Sequence, residues 1–481
     1  MLGPNRDNSV ALNETLSAPL RSNARLLVLA RAAVLVTGLG SLSYVMIGGG
    51  FVNTDAMWSL VWGREAMNGS WPDYAPGPTP HPLTNFLGAL LAPLGARAES
   101  VLSALGFFAL GAFFYMTGLV AYRLFGPIAA AVATALVMTR DVVLFYGSLA
   151  YLDVPYAALV LGAAAMVIRR PRRGAVLVIL VIAGLLRPEA WILSGAYWLY
   201  LMVNDRREWK FLGLVSAAPI LWVLSDLIVT GNPLFSFVAT ESGTVTSGRP
   251  TRFAGVLDAP VFLAQTVRPL VAVAALMGLG IALYVRKGTL LCAFLATTFL
   301  ATVAPVLAGT PINERYLFAT AALVCVAASA PLVLLKGPGP SRRAVGGFCA
   351  LLLVLNAPGQ LARLAEKRAE VRFITASRTD AHRALEPSVP CGPIVVPNGR
   401  LVPVVAIWRE MPVSAVRDGR RGLPDGSYLW GSAQAMVGIV TLEGRPSSIP
   451  PAPRGSVVRM SGGWTLRARC GRAPRRGRAA S

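Results

Sequence analysis

Long apolar runs separated by arginine clusters constrain the fold of this chain more than any other feature. The runs fall at 26–50, 100–122, 127–146, 153–168, 174–187, 190–203, 211–230, 268–285, 289–308, 316–335 and 344–358. A helix of about 20 apolar residues crosses a bilayer, and only helices or closed barrels satisfy their backbone hydrogen bonds there. The sequence therefore predicts an all-α polytopic membrane bundle of about 11 transmembrane helices over residues 26–358.

The composition excludes two other classes of protein. Hydrophobic residues make up 54% of the 481 residues and charged residues only 14%, where soluble domains average about 25% charged residues. Too little polar surface remains to cover a water-facing body, so a soluble globular enzyme and a disordered chain are both excluded.

Basic residues predict the orientation in the plasma membrane. With residues 1–25 as a cytoplasmic N-terminal segment, one set of loops holds 17 of the 25 basic residues before residue 359. An excess of Lys and Arg marks cytoplasmic loops, so the C-terminus is predicted outside. The first outer loop then covers residues 51–99, and its apolar stretch Leu83–Leu94 is short enough to favour an interfacial helix.

The composition changes after residue 358. Residues 359–481 carry 20 basic and 8 acidic residues, a net charge of +12. A polar helix over Leu361–Arg383 is predicted to lead into a small β-rich extracytoplasmic domain over residues 359–471, followed by a disordered basic tail over 472–481. Outside the cytoplasm Cys391 and Cys470 can pair as a disulfide. The predicted strands are Pro393–Pro397, Leu401–Trp408, Val437–Leu442, Gly455–Met460 and Trp464–Ala468.

Ten of the 13 acidic residues between residues 26 and 358 fall on the predicted outer side. Acidic residues have little influence on the orientation in which a chain inserts into the membrane, so membrane insertion does not explain why they cluster on one side. Asp55 follows the first apolar run directly and begins a helical stretch. One interpretation is that it only offsets the helix dipole, worth about 0.3–1 kcal/mol; the other is a functional carboxylate at the rim of a cavity.

A second carboxylate, Asp153, stands where the next outer turn meets a span, in the sequence Tyr151-Leu-Asp153-Val-Pro155. Pro155 suits the first turn of a helix, and Asp153 is a candidate cap for it. If Asp55 and Asp153 share one depth, one can remove a proton while the other orients a hydroxyl or tunes its neighbour. Both are therefore candidate catalytic residues.

Single arginines on the predicted outer side are exceptions to the bias of basic residues towards the cytoplasm, so each is a candidate for a functional role. Arg187 and Glu189 flank Pro188 in a tight hairpin, where they either pair with each other or contact substrate. Glu314, Arg315 and Tyr316 stand at another outer span entry. A planar guanidinium there suits a lipid-linked phosphate.

His81 lies between two prolines in the first outer loop. With two histidines in the chain, a structural or substrate-contact role is favoured over metal binding. No GxxxxGK[ST], HExxH or CxxC motif occurs, so nucleotide hydrolysis at a P-loop and zinc chemistry lack support. We expect no cofactor, no metal and no nucleic-acid partner.

The layout resembles the GT-C superfamily of polyprenyl-phosphate-sugar-dependent glycosyltransferases. The shared features are an Asp in a long first outer loop, an interfacial helix, a second acidic position, a late Arg-Tyr-Leu motif and a C-terminal extracytoplasmic domain. It is similar to bacterial aminoarabinose transferases, to protein O-mannosyltransferases and to actinobacterial envelope enzymes.

The resemblance implies transfer of a hexose or pentose, with inversion, from a polyprenyl-phosphate donor to a hydroxyl of a cell-envelope glycan, lipid or protein. Asp55 would be the general base, Asp153 the second acidic position, and Arg315 a ligand of the departing phosphate. Relatives with paired acids in the first loop differ from this chain, in which Ala56 follows Asp55. The remaining alternatives are a transporter or lipid-linked-sugar flippase, whose polar sites tend to lie near the midplane, and a non-catalytic scaffold.

Overall fold

The computed structural model describes residues 7–171, 174–204, 206–247, 250–284, 288–336, 339–386, 389–437, 439 and 451–470. The predicted tail over 472–481 and most of the predicted strand Val437–Leu442 lie outside these residues.

The membrane part is built from helices, and each predicted apolar run lies on helical structure. In chain order the helices are α1 Asp7–Ile47, α2 Thr54–Met67, α3 Pro82–Leu91, α4 Ala98–Phe125, α5 Pro127–Met138, α6 Asp141–Ser148, α7 Asp153–Arg169, α8 Ala175–Leu186, α9 Glu189–Asn204, α10 Leu212–Thr230, α11 Phe235–Ser247, α12 Arg252–Val267, α13 Pro269–Tyr284, α14 Gly288–Leu307, α15 Phe318–Ser329 and α16 Pro340–Leu385. The all-α polytopic bundle is therefore confirmed. The sequence did not predict α11 and α12.

Fewer helices than predicted meet the length of a full crossing. Among the described residues, six helical stretches are long and apolar enough to span a membrane, or up to eight if each of two bent pairs counts as one span. The bent pairs are α5 with α6, at 66°, and α12 with α13, at 100°. Helices such as α8, with 12 residues, are shorter than a bilayer crossing of about 20 residues.

The two bends are braced against each other by the side chains at their breaks. Nη1 of Arg140 donates to the carbonyl of Val267 at 2.9 Å, and Nη2 of Arg268 lies 3.0 Å from the carboxylate of Asp141. Gln360 of α16 donates to the same carboxylate at 2.8 Å. Arg140 and Arg268 thus hold the breaks of the two bent pairs together.

The interfacial stretch predicted at Leu83–Leu94 contains α3, which crosses α2 at close range. A Cβ added to Gly63 would overlap backbone atoms of Gly88 and Ala89, and one added to Gly88 would overlap the backbone of Ser59. Only residues without side chains permit this approach. The contact fixes the helix on which Asp55 lies.

Replacing Gly63 with Ala is expected to lower the free energy of unfolding by about 1–3 kcal/mol, because the new methyl group forces the two helices apart. The melting temperature of the purified protein in detergent measures the effect. Gly195→Ala is the matched control, since a Cβ at this position on α9 meets no other atom within 4 Å. Equal melting temperatures for the two variants would contradict the tight crossing.

A small mixed sheet forms the C-terminal region, as predicted. Its elements are β1 Ile394–Val396, α17 Val402–Trp408, β2 Val416–Asp418, β3 Gly426–Gly431, α18 Ala433–Met436, β4 Ser456–Ser461 and β5 Trp464–Arg469. The strand order is β2-β1-β3-β5-β4; β1 runs parallel to β2 and β3, and β5 antiparallel to β3 and β4. Cys391 and Cys470 form a disulfide with their Cα atoms 5.8 Å apart.

The strand predicted at Leu401–Trp408 is wrong, because these residues form α17. Its six residues from Val402 to Ile407 are all buried, so the run carries no alternation to distinguish a helix from a strand. The strands β2 and β3 were not predicted. The polar helix Leu361–Arg383 is the outer part of α16, a helix of 46 residues that runs unbroken from the membrane part into the sheet region.

The C-terminal region packs directly on the first outer loop. Glu99 accepts hydrogen bonds from Arg378 and from Nε1 of Trp408, the latter at 2.6 Å. Arg64 of α2 donates to the carbonyls of Ala406 at 3.1 Å and Met411 at 2.6 Å. Buried residues of the loop and of the sheet region belong to one continuous core, so the two parts are held in a fixed relation.

Candidate active site

A glycine turn brings the first outer loop beside the start of α7. The amide of Phe51 donates to the carbonyl of Ser148 at 3.1 Å, and both nitrogens of Asn53 donate to the carbonyl of Leu149, at 3.0 and 2.8 Å. A Cβ at Gly50 would overlap the carbonyl of Ser148, so this pairing requires glycine. These hydrogen bonds place Asp55 beside the segment that precedes Asp153.

Asn53, not Asp55, caps α2. The side chain of Asn53 accepts a hydrogen bond from the amide of Ala56 at 3.1 Å. The carboxylate of Asp55 stands in the first turn, is half-buried and lines a cavity. Among the described residues it makes no hydrogen bond or ion pair, although it interacts electrostatically with Arg315. A carboxylate in this state is available to a ligand.

The cavity has a volume of about 960 Å³ and gathers most of the predicted site residues. Seven of the eight line it: Asp55, His81, Asp153, Arg187, Glu189, Arg315 and Tyr316. The eighth, Glu314, is not part of the lining; its carboxyl group forms a hydrogen bond with Tyr146 instead. Residues far apart in the chain thus meet in one place.

Asp153 holds two arginines at the floor of this cavity. One carboxylate oxygen pairs with Nη1 of Arg187, and the other lies 3.1 Å from Nε of Arg315. Arg187 also pairs with Glu189, which is the pairing considered from the sequence. Asp153 is the first residue of α7 but does not cap it, because Leu152 holds the cap position. All four charged side chains are buried, with at most 8% of each residue exposed.

Tyrosine rings fix the planes of both guanidinium groups. The Arg187 guanidinium lies 3.8 Å from the ring centre of Tyr316, and that of Arg315 lies 4.2 Å from the ring centre of Tyr151. Stacking on an aromatic face is favourable to a desolvated cation and removes rotamer freedom. The cluster thus presents two oriented cations whose charge is balanced by two carboxylates.

His81 contributes a neutral side chain. Burial, followed by the positive charge of Arg187, lowers the pKa of His81 to about 3, and Arg315 adds to this effect. Its ring packs edge-on against Trp222 with 5.3 Å between the ring centres. Among the described residues no group of three or more His, Cys, Asp or Glu side chains is arranged to hold a metal ion.

The depressed pKa of His81 predicts a loss of stability in mild acid. A group whose pKa is lower in the folded than in the unfolded protein stabilises the fold above its unfolded pKa, about 6.5, and progressively less below it. Going from pH 7 to pH 5 is expected to cost the wild type about 1–2 kcal/mol through this residue.

Melting temperatures of the wild type and of His81→Gln at the two pH values test this expectation. The variant lacks the titrating group, so its melting temperature should fall less between pH 7 and pH 5. The same fall in both proteins would contradict a neutral, protonation-resistant His81.

Two further residues of the cavity lining that can carry a charge, Asp226 and Arg400, were not among the predicted site residues. Asp226 lies in the last turn of α10 and accepts from both the amide and the hydroxyl of Ser236, each at 2.8 Å. Arg400 comes from the turn after β1, in the C-terminal region. Sequence spacing gives no signal for Arg400, because the contact depends on how the sheet region docks.

The fold has a counterpart among solved structures. No known family matches the sequence, and no curated protein matches it. The crystal structure of ArnT from Cupriavidus metallidurans bound to undecaprenyl phosphate superposes with a TM-score of 0.52 at 12% identity, covering 93% of this chain and 98% of that one. The apo structure of the same protein gives 0.48 over the same shares.

At this identity the likeness shows the fold. The chain is a multi-pass membrane protein that shares the fold of this solved ArnT structure.

Proposed function

We propose that this protein is a membrane glycosyltransferase that moves a sugar from a polyprenyl-phosphate donor to an acceptor hydroxyl at the extracytoplasmic face. The observation that carries the proposal is the convergence of the Asp55 carboxylate and the Arg187–Arg315 pair on one cavity. The solved ArnT structure with the same fold has undecaprenyl phosphate bound. A base and a cationic clamp are the two elements that this transfer needs.

Arg315 is the candidate ligand of the donor phosphate. Its planar guanidinium presents several N–H donors, which suits a phosphate, and the ring of Tyr151 holds it in place. As the bond to the anomeric carbon breaks, negative charge accumulates on the departing polyprenyl phosphate. A preorganised cation stabilises that charge, and a phosphate leaves without a general acid.

Asp55 is the candidate general base. It lines the cavity and has no hydrogen-bonding partner among the described residues, so its oxygens can accept the proton of an acceptor hydroxyl. The deprotonated oxygen then attacks the anomeric carbon from the side opposite the phosphate, which inverts the configuration. Arg315, the candidate phosphate ligand, interacts electrostatically with Asp55, so the base and the cation act within one site.

Asp153 is assigned a positioning role in this mechanism. Both of its oxygens are engaged by guanidinium groups, which leaves it poorly placed to accept a proton from a substrate. It sets the orientation of Arg187 and Arg315, with Glu189 balancing the second charge. The ring of Tyr316 stacks on the guanidinium of Arg187, and neutral His81 is a candidate contact for a sugar. Glu314 is assigned no direct contact with substrate, because its carboxyl group is hydrogen-bonded to Tyr146.

The proposed orientation has the N-terminus in the cytoplasm and the C-terminal region outside. The cavity adjoins the C-terminal region, since Arg400 lines it. The basic cluster at Arg169 and Arg170 lies at the other end of α7 from Asp153. This distribution supports a site on the outer face.

Reconstituted liposomes test the function. Purified protein is given radiolabelled polyprenyl-phosphate sugars and membrane fractions as acceptors. A transferase places label covalently in the acceptor and releases polyprenyl phosphate, with the anomeric configuration inverted. A transporter or flippase would instead move intact donor across the bilayer, and that outcome would refute the proposal.

A further inference from the structure

Two arginines of α16 meet over the end of α1, outside the catalytic cavity. Arg368 and Arg372 are one helical turn apart, so their side chains leave α16 on the same face. Both reach Gly48, the residue that follows α1: a Cβ built there would lie 2.7 Å from Nε of Arg372 and 3.1 Å from Nε of Arg368. The two Nε atoms are therefore at most 5.8 Å apart, the sum of these distances. Neither arginine is part of the cavity lining.

No carboxylate balances this pair within the described part of the chain. Among the described residues neither side chain makes a hydrogen bond or an ion pair, and Nε of Arg368 is buried without an acceptor. The neighbouring acid on the same helix, Glu370, pairs with Lys367 at 2.7 Å instead. Two positive charges at this spacing repel each other, and like charges four residues apart destabilise a helix. An anion held between the two guanidinium groups removes this cost.

The end of α1 does not account for the pair. Cations near the C-terminal end of a helix interact favourably with its dipole, which is equivalent to about half a negative charge and cannot balance two arginines. Among the described residues neither guanidinium donates to a carbonyl of α1, and the carbonyl of Tyr44 accepts from the amide of Gly48 at 2.9 Å. The pair is therefore not explained as a helix cap.

The surroundings of the pair place it at the headgroup layer of a membrane. α1 and α16 are both long and apolar enough to cross a bilayer, and both expose large apolar side chains. These are Leu42, Tyr44 and Val45 of α1 and Leu351, Val354 and Leu355 of α16. Gly48 lies three residues beyond Val45, which is about 5 Å along a helix axis. The headgroup layer is about 5–7 Å thick on each side of the hydrocarbon core, so the pair lies at the depth of lipid phosphate groups.

We propose that Arg368 and Arg372 form a binding site for the phosphate group of an anionic membrane phospholipid, in the leaflet on the side of the C-terminal region. The planar guanidinium groups each donate charge-assisted hydrogen bonds to phosphate oxygens. A lipid of net negative charge is preferred to a zwitterionic one, because it brings no ammonium group close to the two arginines. Its acyl chains lie against the exposed apolar side chains of α1. The site is separate from Arg315, the candidate ligand of the donor phosphate.

Binding of a single lipid to the full-length protein in detergent tests this site without requiring transfer. Native mass spectrometry gives dissociation constants for dioleoyl phosphatidylglycerol and dioleoyl phosphatidylcholine, which have the same acyl chains and differ in the headgroup. The wild type is expected to bind phosphatidylglycerol about tenfold more tightly, which corresponds to about 1.4 kcal/mol. Glycerol 3-phosphate, which has the phosphate but no acyl chain, should not displace it at equal concentration.

Paired substitutions show where the lipid binds. Arg368→Gln combined with Arg372→Gln should remove the preference, whereas Lys at both positions, which keeps the charges, should retain most of it and excludes misfolding as the cause. Arg417→Gln combined with Arg459→Gln is the matched control, because it removes two exposed arginines of β2 and β4 and should leave the preference intact.

Four results would each overturn the inference. They are the absence of a preference in the wild type, a preference that survives in the double Gln variant, its loss in the control variant, and displacement of the lipid by glycerol 3-phosphate. The third would show that total charge and not this pair attracts the lipid, and the fourth would assign the pair to soluble phosphate esters.

Discussion

Replacing Asp55 with Asn is expected to lower the rate of sugar transfer by about 10²–10⁴-fold, the usual contribution of a positioned general base. The amide has nearly the same shape as the carboxylate but cannot take up the proton of the acceptor hydroxyl. Because the carboxylate makes no hydrogen bond or ion pair among the described residues, its replacement should leave the fold intact. Initial rates with radiolabelled donor in liposomes, at equal protein content, measure the effect.

Asp73→Asn is the matched control for this prediction. Asp73 lies in the same loop and is exposed, and its carboxylate accepts a hydrogen bond from the nearby amide of Ala75 at 3.0 Å. It does not line the cavity. Its variant should transfer sugar at the rate of the wild type. Retained transfer in Asp55→Asn would remove Asp55 from the role of base, whatever the control shows.

Replacing Asp153 with Asn is expected to lower the free energy of unfolding by about 3–5 kcal/mol. The substitution removes the carboxylate that both buried guanidinium groups share, and Glu189 alone cannot balance two positive charges. A buried charge without its partner costs far more than the pair itself contributes. The melting temperature in detergent should therefore fall steeply.

An exposed ion pair provides the comparison. Asp425 lies 2.8 Å from Arg469 on the surface, with side chains 57% and 44% exposed. Asp425→Asn should cost no more than about 1 kcal/mol, because solvent screens such pairs. If Asp153→Asn melted at the temperature of Asp425→Asn, the charged cluster would not be holding the start of α7, the end of α8 and the Arg315 turn together.

The sequence was most informative where a single physical requirement dominates. Apolar runs must be helical in a bilayer, and each predicted run lies on helical structure. The number of full crossings did not follow from the runs, because α7, α8 and α9 are shorter than a full crossing and two pairs of helices are bent by 66° and 100°. Their stability comes from contacts between segments distant in the chain.

The sheet region was less predictable. Short strands such as β2, with three residues, carry too little pattern to be recognised, and the buried run of α17 reads equally well as a strand. The candidate site was predicted less well than the membrane helices and better than the sheet region. The types of residue at Asp55, Asp153, Arg187 and Arg315 indicated chemistry on the outer face, but their pairing did not follow from spacing.

By itself the sequence determined the helical membrane bundle and the types of charged residue that meet in the cavity, because hydrophobicity and charge act on each segment separately. Only the tertiary structure decided that Asp153 bridges two arginines, that Asp55 is left available to a ligand and that Arg400 enters the cavity. These outcomes depend on the packing of segments that lie from 34 to 346 residues apart in the chain, and short-range pattern holds no information about such contacts.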